Sequence, residues 1–547
     1  MALTVRSGVP FAILGLATTL AVAPLAVTAA TLPAAVLAAL PLSVTGPSLP
    51  ATTPLDPLSR LAEAQYSDGV GTLAGDDRPN SRTLSNILSD PSNAATDAAP
   101  LSNMAVAMFQ FIASHEIAHT PTDASESSPI SIDDPADPLL GTGQTDIAMD
   151  RARYETGTGV STPRQQLDDV TTAFDGSTVY GSSIARQTEL RSFSGGRMKI
   201  SADGDVPIID GMPAAGDMRA DENPSLRALH ALFLREHNRI ADEIAAACPS
   251  CTDQDIFERA RVVVANIQHK IFYDELLPLF IGSAPLDTYL PDPTVLAGVS
   301  EAINEFTTAA GRIGHTQVPE VIVTGAPGGP LTEVTLDTCF FTSSCLDPAT
   351  QAERLYGLTQ QAGEPVDTVV EDSLRNGQIP AASAVFPIDL FATNIERGRD
   401  HGLADYQTVR DALGFASVEL DVLLPQYIID AYAGQSDGID LIVGLFGEFR
   451  ADGEYLGETG RALWALQFRN IEGLTLGFSD TGAQAALDAW LDGVTMASLL
   501  SRDTGYDASV WGATPFLAPT TSQVPLPPSV ALMLVGLLGL AGLRRRS

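Results

Sequence analysis

Positive charge is what this sequence has least of. Its 547 residues include 31 lysines and arginines against 67 aspartates and glutamates, a net charge of −36. A chain so acidic repels nucleic acid and anionic membrane surfaces, which removes both as partners. The acid is scattered rather than gathered in a tail. That pattern fits a solubility adaptation, and it also supplies the hard oxygen that calcium prefers. Strand-like alternation is scarce, no internal repeat occurs, and cysteine is limited to four residues. Acid itself is missing from one stretch: Met1–Pro50 holds no aspartate or glutamate and a single cation, Arg6.

That stretch continues as an apolar Ala/Leu/Val run with small residues at Ala29 and Ala30, the pattern of a secretory leader over residues 1–30. A retained N-terminal membrane helix is the alternative, and Pro24, Pro33 and Pro41 interrupt it. The other end reads Val524-Pro525-Leu526-Pro527-Pro528, then an apolar run Val530–Leu543, then Arg544-Arg545-Arg546. That run of 14 residues falls short of the roughly 20 that a bilayer-spanning helix needs. Segment 524–547 resembles the sorting tails of Gram-negative bacterial proteins of the PEP-CTERM type, which export machinery cleaves; a permanent short anchor is the alternative. Both place the bulk of the chain outside the cytoplasm, secreted or at the cell surface. The cysteines fit such a compartment. Cys248 with Cys251 and Cys339 with Cys345 is the simplest of three pairings, while a CxxC can also be redox-active or half a zinc site.

Between these ends, residues 31–100 read as a loop-rich arm and 101–520 as one large, mainly α domain with long loops and few short strands. Met104–His119 reads as a helix stopped by Pro121. Residues 121–165 are polar and rich in Gly, Asp, Thr and Pro, an irregular excursion. Asn223-Pro224 starts a helix over Ser225–Ala247, where Leu226, Leu229, Leu232, Phe233, Ile240 and Ile244 recur at helical spacing. Asp255–Leu277 is another. Shorter helical patterns cover Val299–Gly311, Glu353–Leu358, Asp405–Leu413, Arg461–Glu472 and Ala485–Ser498.

The string His115-Glu116-Ile117-Ala118-His119 is the HExxH zinc signature, in which two histidines on one helix face grip zinc and the glutamate is the base of a metalloprotease. Its context opposes that reading. Thr120-Pro121 ends the helix, Thr122 and Ser125 stand where a metzincin has Gly and a third His, and no downstream Glu is an obvious third ligand. Four further segments give a better account. Thr171-Thr172-Ala173-Phe174-Asp175-Gly176-Ser177 alternates oxygen-bearing groups, which suits calcium. Gly216-Asp217-Met218-Arg219-Ala220-Asp221-Glu222-Asn223-Pro224 leads into a helix bearing Arg235-Glu236-His237-Asn238-Arg239. Then come Gly311-Arg312-Ile313-Gly314-His315-Thr316 and Asp389-Leu390-Phe391-Ala392-Thr393-Asn394-Ile395-Glu396-Arg397-Gly398-Arg399-Asp400-His401-Gly402.

In this order, from about Gln110 to about Tyr406, these motifs resemble those of the animal-type haem peroxidases of the peroxidase–cyclooxygenase superfamily, here a bacterial secreted member. The resemblance implies the mainly α animal haem peroxidase fold, haem b and calcium as cofactors, and hydrogen peroxide with a small reducing donor as substrates. His115 matches the distal histidine, the residue that moves a proton between the peroxide oxygens, a task suited to a group titrating near neutral pH. Arg219 matches the cation that stabilises charge as the O–O bond breaks. His315 matches the axial ligand of the haem iron and Asn394 the amide that orients its second ring nitrogen. Being neutral, that amide should leave the iron's potential higher than a carboxylate would. Arg397 matches a residue near a haem propionate. Glu116, Thr171, Ala173 through its carbonyl, Asp175 and Ser177 match the calcium ligands, so the metal would pin the distal helix to the loop.

Departures from the family pattern bear on the details. Ser114 stands where an ester-forming Asp is common, and Glu222 matches the other ester former, so at most one haem ester is expected. Asn223 excludes the further bond that a Met at that position makes. The family's Gln near the halide site lies four residues before the distal His; here that position is Phe111, and Gln110 lies five before. The two directions differ by about 100° on an α-helix, so Gln110 takes the same place only if the helix bulges. His230 and His237 read as members of a polar network, and His269 and His401 as structural.

The function expected is a secreted haem peroxidase that oxidises halides, pseudohalides or small organic donors through a ferryl haem intermediate. A fatty-acid dioxygenase of the same superfamily would carry Tyr three residues before the proximal His, where this chain has Arg312. An adhesion or matrix protein that had lost activity would not be expected to keep His115, Arg219, His315 and Asn394 together.

Overall fold

The strongest local signals set the frame, and distant ion pairs complete it. In this computed structural model, residues 31–519 are described apart from 39–41, 97–99, 343, 382–383 and 513, so the predicted leader (1–30) and tail (524–547) lie outside the described residues. The helices that matter for the site are α1 (Ser81–Leu88), α2 (Asn103–Phe109), α3 (Pro224–Ala247), α4 (Asp253–Ile271), α5 (Leu390–Asp400) and α6 (Glu458–Ile471). Strands are short and pair only in two-stranded ladders among the described residues; Val321–Gly325 with Leu331–Thr335 is a five-residue pair. No helix among the described residues is long and apolar enough to cross a membrane.

α3 follows its predicted pattern. Asn223 caps it by accepting from the Leu226 amide at 2.9 Å, Pro224 occupies the first turn, and the six apolar residues at helical spacing are buried. α4 begins on a reciprocal cap between Thr252 and Asp255 and carries Lys270 in its last turn, where a cation suits the helix dipole. The disulfide Cys248–Cys251 closes the turn between α3 and α4, and Cys339–Cys345 closes a second local loop, so both expected pairings are present. α2, α3, α4 and α6 share one apolar core. Within it Trp464 of α6 stacks on Phe109 of α2 with ring centroids 4.7 Å apart and donates to the Ala310 carbonyl at 2.9 Å.

Three expectations need correction, and the segment read as a loop-rich arm carries a helix, α1, which packs on α5. Its Arg82 is buried and ion-paired with Asp137 at 2.7 Å and with Asp389, the N-cap of α5, at 2.6 Å. Those partners are far away in sequence, so local pattern could not reveal them. The helix expected over Met104–His119 is regular only to Phe109; a π turn follows over Gln110–Ser114, and the chain leaves the helix at His115. The helix expected over Ala485–Ser498 is two, Thr481–Leu491 and Met496–Thr504, because Thr495 caps a new start with Ser498. In the excursion at 121–165, Thr122–Ser127 pairs with Asp150–Ala152, and Ile130, Ile132, Leu139, Ile147 and Met149 form a small satellite core with Ala392 of α5.

Candidate active site

The π turn decides what the first wall of the site presents. A π turn holds one residue more than an α turn, so a residue five places before His115 reaches the position that an α-helix gives to the fourth. Phe111 is turned into the core, stacked on Phe233 at 5.0 Å and edge-on to His230 at 4.8 Å. Gln110 lines the cavity instead, accepting from Asn223 Nδ2 at 3.0 Å and donating to Glu222 Oε2 at 3.2 Å. The bulge on which Gln110's placement depended is therefore present.

His115 stands at the end of that turn, buried, with Nδ1 3.3 Å from Asp217 Oδ1 and Nε2 3.9 Å from Glu222 Oε2. Burial, reinforced by the nearby Arg219 cation, pushes its pKa down to about 4, with Asp217 opposing. Asp217 also grips Arg219 three ways: it accepts from the backbone N–H at 2.6 Å, from Nε at 3.0 Å and from the guanidinium NH2 group at 2.6 Å. Burial works to raise the Asp217 carboxyl, yet Arg219 and His115 hold it well below the usual carboxylate range. Burial raises the Glu222 carboxyl, with Arg219 opposing. One carboxylate thus fixes the His115 imidazole and the Arg219 guanidinium relative to each other.

Behind this wall, Thr178 joins three elements. Its hydroxyl donates to Glu116 Oε2 at 3.0 Å, and its carbonyl accepts from the Asp217 amide at 3.3 Å and faces His230 Nδ1 at 3.0 Å. Gly216 makes this approach possible, since a Cβ there would lie 2.0 Å from the Ser177 carbonyl oxygen. Glu116 is fully buried and also accepts from the Gly176 amide at 2.9 Å. It therefore turns away from His119, whose Nδ1 lies 2.5 Å from Asp169 Oδ1. With the helix ended at His115 and Glu116 held by Gly176 and Thr178, the HExxH string does not form a zinc grip.

The donors of the predicted calcium loop are short of partners. Thr171 Oγ1, Asp175 Oδ2 and Ser177 Oγ are buried without a hydrogen bond, and the nearest cation to Asp175, Arg261, is 3.6 Å away. Burial, with Asp175 adding repulsion, raises the Glu116 carboxyl to about 8, and burial raises Asp175 too. Two buried carboxyls and orphaned hydroxyls suit a hard cation. The loop is not extended throughout, as Ser177 opens a helical turn, Ser177–Tyr180.

The opposite wall is built on Ala310–His315, a 3₁₀ turn that replaces the end of the helix expected over Val299–Gly311. Gly314 lets this turn lie on α2, because a Cβ there would be 3.2 Å from the Phe109 ring. Asn394 of α5 places Nδ2 2.7 Å from His315 Nδ1. The other ring nitrogen, Nε2, has no hydrogen-bond partner among the described residues. Burial, with Arg312 adding repulsion, lowers the His315 pKa to about 3, so the ring is neutral and able to bind a metal.

Residues i and i+3 eclipse in a 3₁₀ turn, which puts Arg312 on the same side as His315. Burial, with Arg219 and Arg397 repelling it, lowers the Arg312 pKa to about 10. Arg397 lines the same cavity and pairs with Asp400 at 2.8 Å. Arginines so crowded call for anionic groups between them. In the sequence Arg312 stands out only as the absence of a tyrosine, and the one mark of Asp217 is that it lies two positions from Arg219.

A cavity of about 310 Å³ separates the two walls and is lined by His115, Arg219 and Glu222 on one side and by Arg312, His315, Asn394 and Arg397 on the other. That size lies within the roughly 300–1,000 Å³ of small-molecule and cofactor sites. Haem fits this donor set: an open imidazole nitrogen for iron and arginines for its carboxylates. Of the other histidines, His230 and His237 are buried in hydrogen bonds to Thr178, Tyr180 and Gly196. His401 bonds Asn304 and Thr308, and His269 faces the Glu472 carbonyl.

Known proteins with related chains bear directly on this arrangement. The family described as "Animal haem peroxidase" matches residues 52–505. Peroxinectin A of Dictyostelium discoideum is 30% identical over 367 residues, covering 62% of this chain and 67% of that protein. Dual oxidase of Drosophila melanogaster is 30% identical over 445 residues, covering 71% of this chain but only 28% of its own length. Among solved structures, peroxidase A from Dictyostelium discoideum superposes with a TM-score of 0.70 at 25% identity, over 83% of this chain and 94% of that one. A fatty acid α-dioxygenase from Arabidopsis thaliana gives a TM-score of 0.68 at 18% identity over 87% of this chain and 82% of that one, a likeness of fold alone. Motif order, helical frame and family match agree: the chain belongs to the animal haem peroxidase family.

Proposed function

We propose that this chain is an exported haem peroxidase that consumes hydrogen peroxide and oxidises halides, pseudohalides or small organic donors. One observation carries the reading. A neutral buried histidine and an arginine share one carboxylate, Asp217, across a cavity from a second neutral histidine backed by an amide. His315 would hold the iron, Asn394 would fix its ring, and Arg312 and Arg397 would take the haem carboxylates. When bound, haem supplies the iron centre and the electron transfer on which peroxide cleavage depends.

The rest is work for the chain's own residues. His115, neutral above about pH 4, takes a proton from the near peroxide oxygen and returns it to the leaving one, which departs as water. Arg219, held by Asp217, stabilises the negative charge that builds on the leaving oxygen. A metal held by His315 Nε2 would leave the ring proton on Nδ1. Asn394 then has to present its oxygen rather than Nδ2, a half-turn of the amide.

Calcium would be held by Glu116, Thr171, the Ala173 carbonyl, Asp175 and Ser177, supported by the orphaned oxygens of that loop. Gln110 lining the cavity restores the halide option. Glu222, in the same wall, is the candidate for a single haem ester. The two disulfides support export. Arg312, in place of tyrosine three residues before His315, weighs against a dioxygenase.

An absorption spectrum of the purified protein before and after peroxide tests the reading. A Soret band that shifts on adding peroxide is expected. A protein without that band, carrying stoichiometric zinc instead, would overturn it.

A further inference from the structure

His119 has no part in the machinery described above, yet it lines the same cavity as His115 and Arg219. Its side chain is 30% exposed and its neighbour Asp169 is 22% exposed, so the pair sits where the cavity meets solvent. Three contacts hold it. Nδ1 lies 2.5 Å from Asp169 Oδ1, the backbone N–H donates to Asp168 Oδ1 at 2.9 Å, and the backbone carbonyl accepts from the Asp169 amide at 3.0 Å. A carboxylate only accepts, so Nδ1 carries the proton and Nε2 keeps its lone pair. Nε2 has no hydrogen-bond partner among the described residues. Beside it, the Thr120 hydroxyl is buried without a partner.

We propose that His119, oriented by Asp169, is the base that takes the proton from a neutral hydroxylated aromatic donor at the mouth of this cavity. The proposal rests on the peroxidase reading and names a donor class for it. A phenol that gives up an electron becomes strongly acidic, so a base on its O–H lets electron and proton leave together. Each phenol would give one electron to haem oxidised by peroxide and one proton to Nε2, would leave as a phenoxyl radical, and His119 would pass that proton on to the water being formed before the next phenol binds. Two phenols supply the two electrons and two protons that complete the reduction of one peroxide to two waters.

The local charges favour such a donor over an anion. Asp169 faces Nδ1, Asp168 holds the backbone, and His115 and Arg219 line the same cavity with Asp217 joining them. Burial, helped by Arg219, lowers the His119 pKa and keeps the ring neutral, with Asp169 opposing. A neutral imidazole backed by a carboxylate offers an anion nothing, and it offers an O–H a ready acceptor.

Phenol and iodide, compared as reducing donors for the holoprotein, test this. His119→Gln keeps an acceptor oxygen but takes no proton; His119→Leu removes both. In His119→Gln, phenol turnover relative to iodide turnover is expected to fall about 100-fold, a usual loss for a general base. Calorimetric titration of the resting holoprotein with phenol should give a Kd within about threefold of wild type for His119→Gln, and a weaker one for His119→Leu. Equal losses with phenol and iodide in His119→Gln, or no loss with phenol, overturn the proposal. Wild-type holoprotein that consumes no peroxide with either donor overturns the peroxidase reading, and this proposal with it, a result that the wild-type trace alone distinguishes.

Discussion

The two walls of the cavity hold their imidazoles by opposite means. His115 stands among charges: Asp217 at 3.3 Å, Glu222 at 3.9 Å, and Arg219 tied to the same Asp217. His315 is held by an amide 2.7 Å away, on a turn packed against the Phe109 and Trp464 rings. A group that must gain and lose a proton benefits from charges that respond to it. A group that must hold a metal needs a fixed ring and a constant charge. The difference is what the proposed function asks for, with proton transfer on one wall and ligation on the other.

The largest effect should come from breaking the ligation wall. His315→Ala should yield folded protein that retains no haem, read as loss of the Soret band. Breaking the other wall should leave haem in place. His115→Ala should keep the Soret band but slow the reaction with peroxide by about 10²- to 10⁴-fold in stopped-flow. The pH profile sharpens the same contrast. With His115 at about 4 in the folded protein, the rate constant for peroxide should stay flat from pH 8 to 5 and fall below about pH 4. An unfolded histidine titrates near 6.5, so between these values the unfolded chain binds the extra proton. The His115 contribution to stability is thus intact above about pH 6.5 and is lost as pH falls through 4.

Calcium removal should act on one wall only. Glu116 and Asp217 both hang on Thr178, one residue beyond the candidate ligand Ser177. Chelation should therefore loosen His115 and Arg219 together and slow the peroxide reaction by about 10- to 100-fold, the usual cost of losing an orienting partner. The Soret band should persist, because no ligand of that loop touches His315. Haem loss at the same rate as the fall in activity would show that the walls are not independent.

How much of this was legible in the sequence follows from where each signal lies. α3 could be read because its cap, proline and apolar stripe are all local. α5 could not. Its apolar residues are few and Asn394, Glu396, Arg397, Arg399 and Asp400 fill the rest, and it is secured by the Asp389 cap and by Arg82, which lies 307 positions away. The order of motifs marked candidate residues by type, and His115, Arg219, Glu222, His315, Asn394 and Arg397 do line one cavity. It could not give the π turn, since nothing in Gln110-Phe111-Ile112-Ala113-Ser114 marks the bulge, and tertiary packing of Phe111 against Phe233 and His230 decides it. It also could not show that Asp217 serves both His115 and Arg219, or that His119 and Asp169 meet.

The smallest effect tests the contrast at its finest point. Asn394→Asp gives the ligation wall a charged partner like that of the proton-transfer wall while keeping nearly the same shape. A carboxylate accepts the His315 Nδ1 proton more strongly than an amide, and the ring gains anionic character. That stabilises the ferric state over the ferrous. The gap between a neutral and a charge-assisted hydrogen bond is about 1 kcal/mol, on the order of 40 mV for one electron, so spectroelectrochemistry should show a potential lower by that amount. Arg312 works the other way. It is crowded by Arg219 and Arg397, and pairing with the new carboxylate would divert it from Nδ1. A double variant, Asn394→Asp with Arg312→Gln, should then lie lower still. A potential unchanged in both variants would mean that the amide positions the ring without tuning it, and the difference between the walls would reduce to geometry.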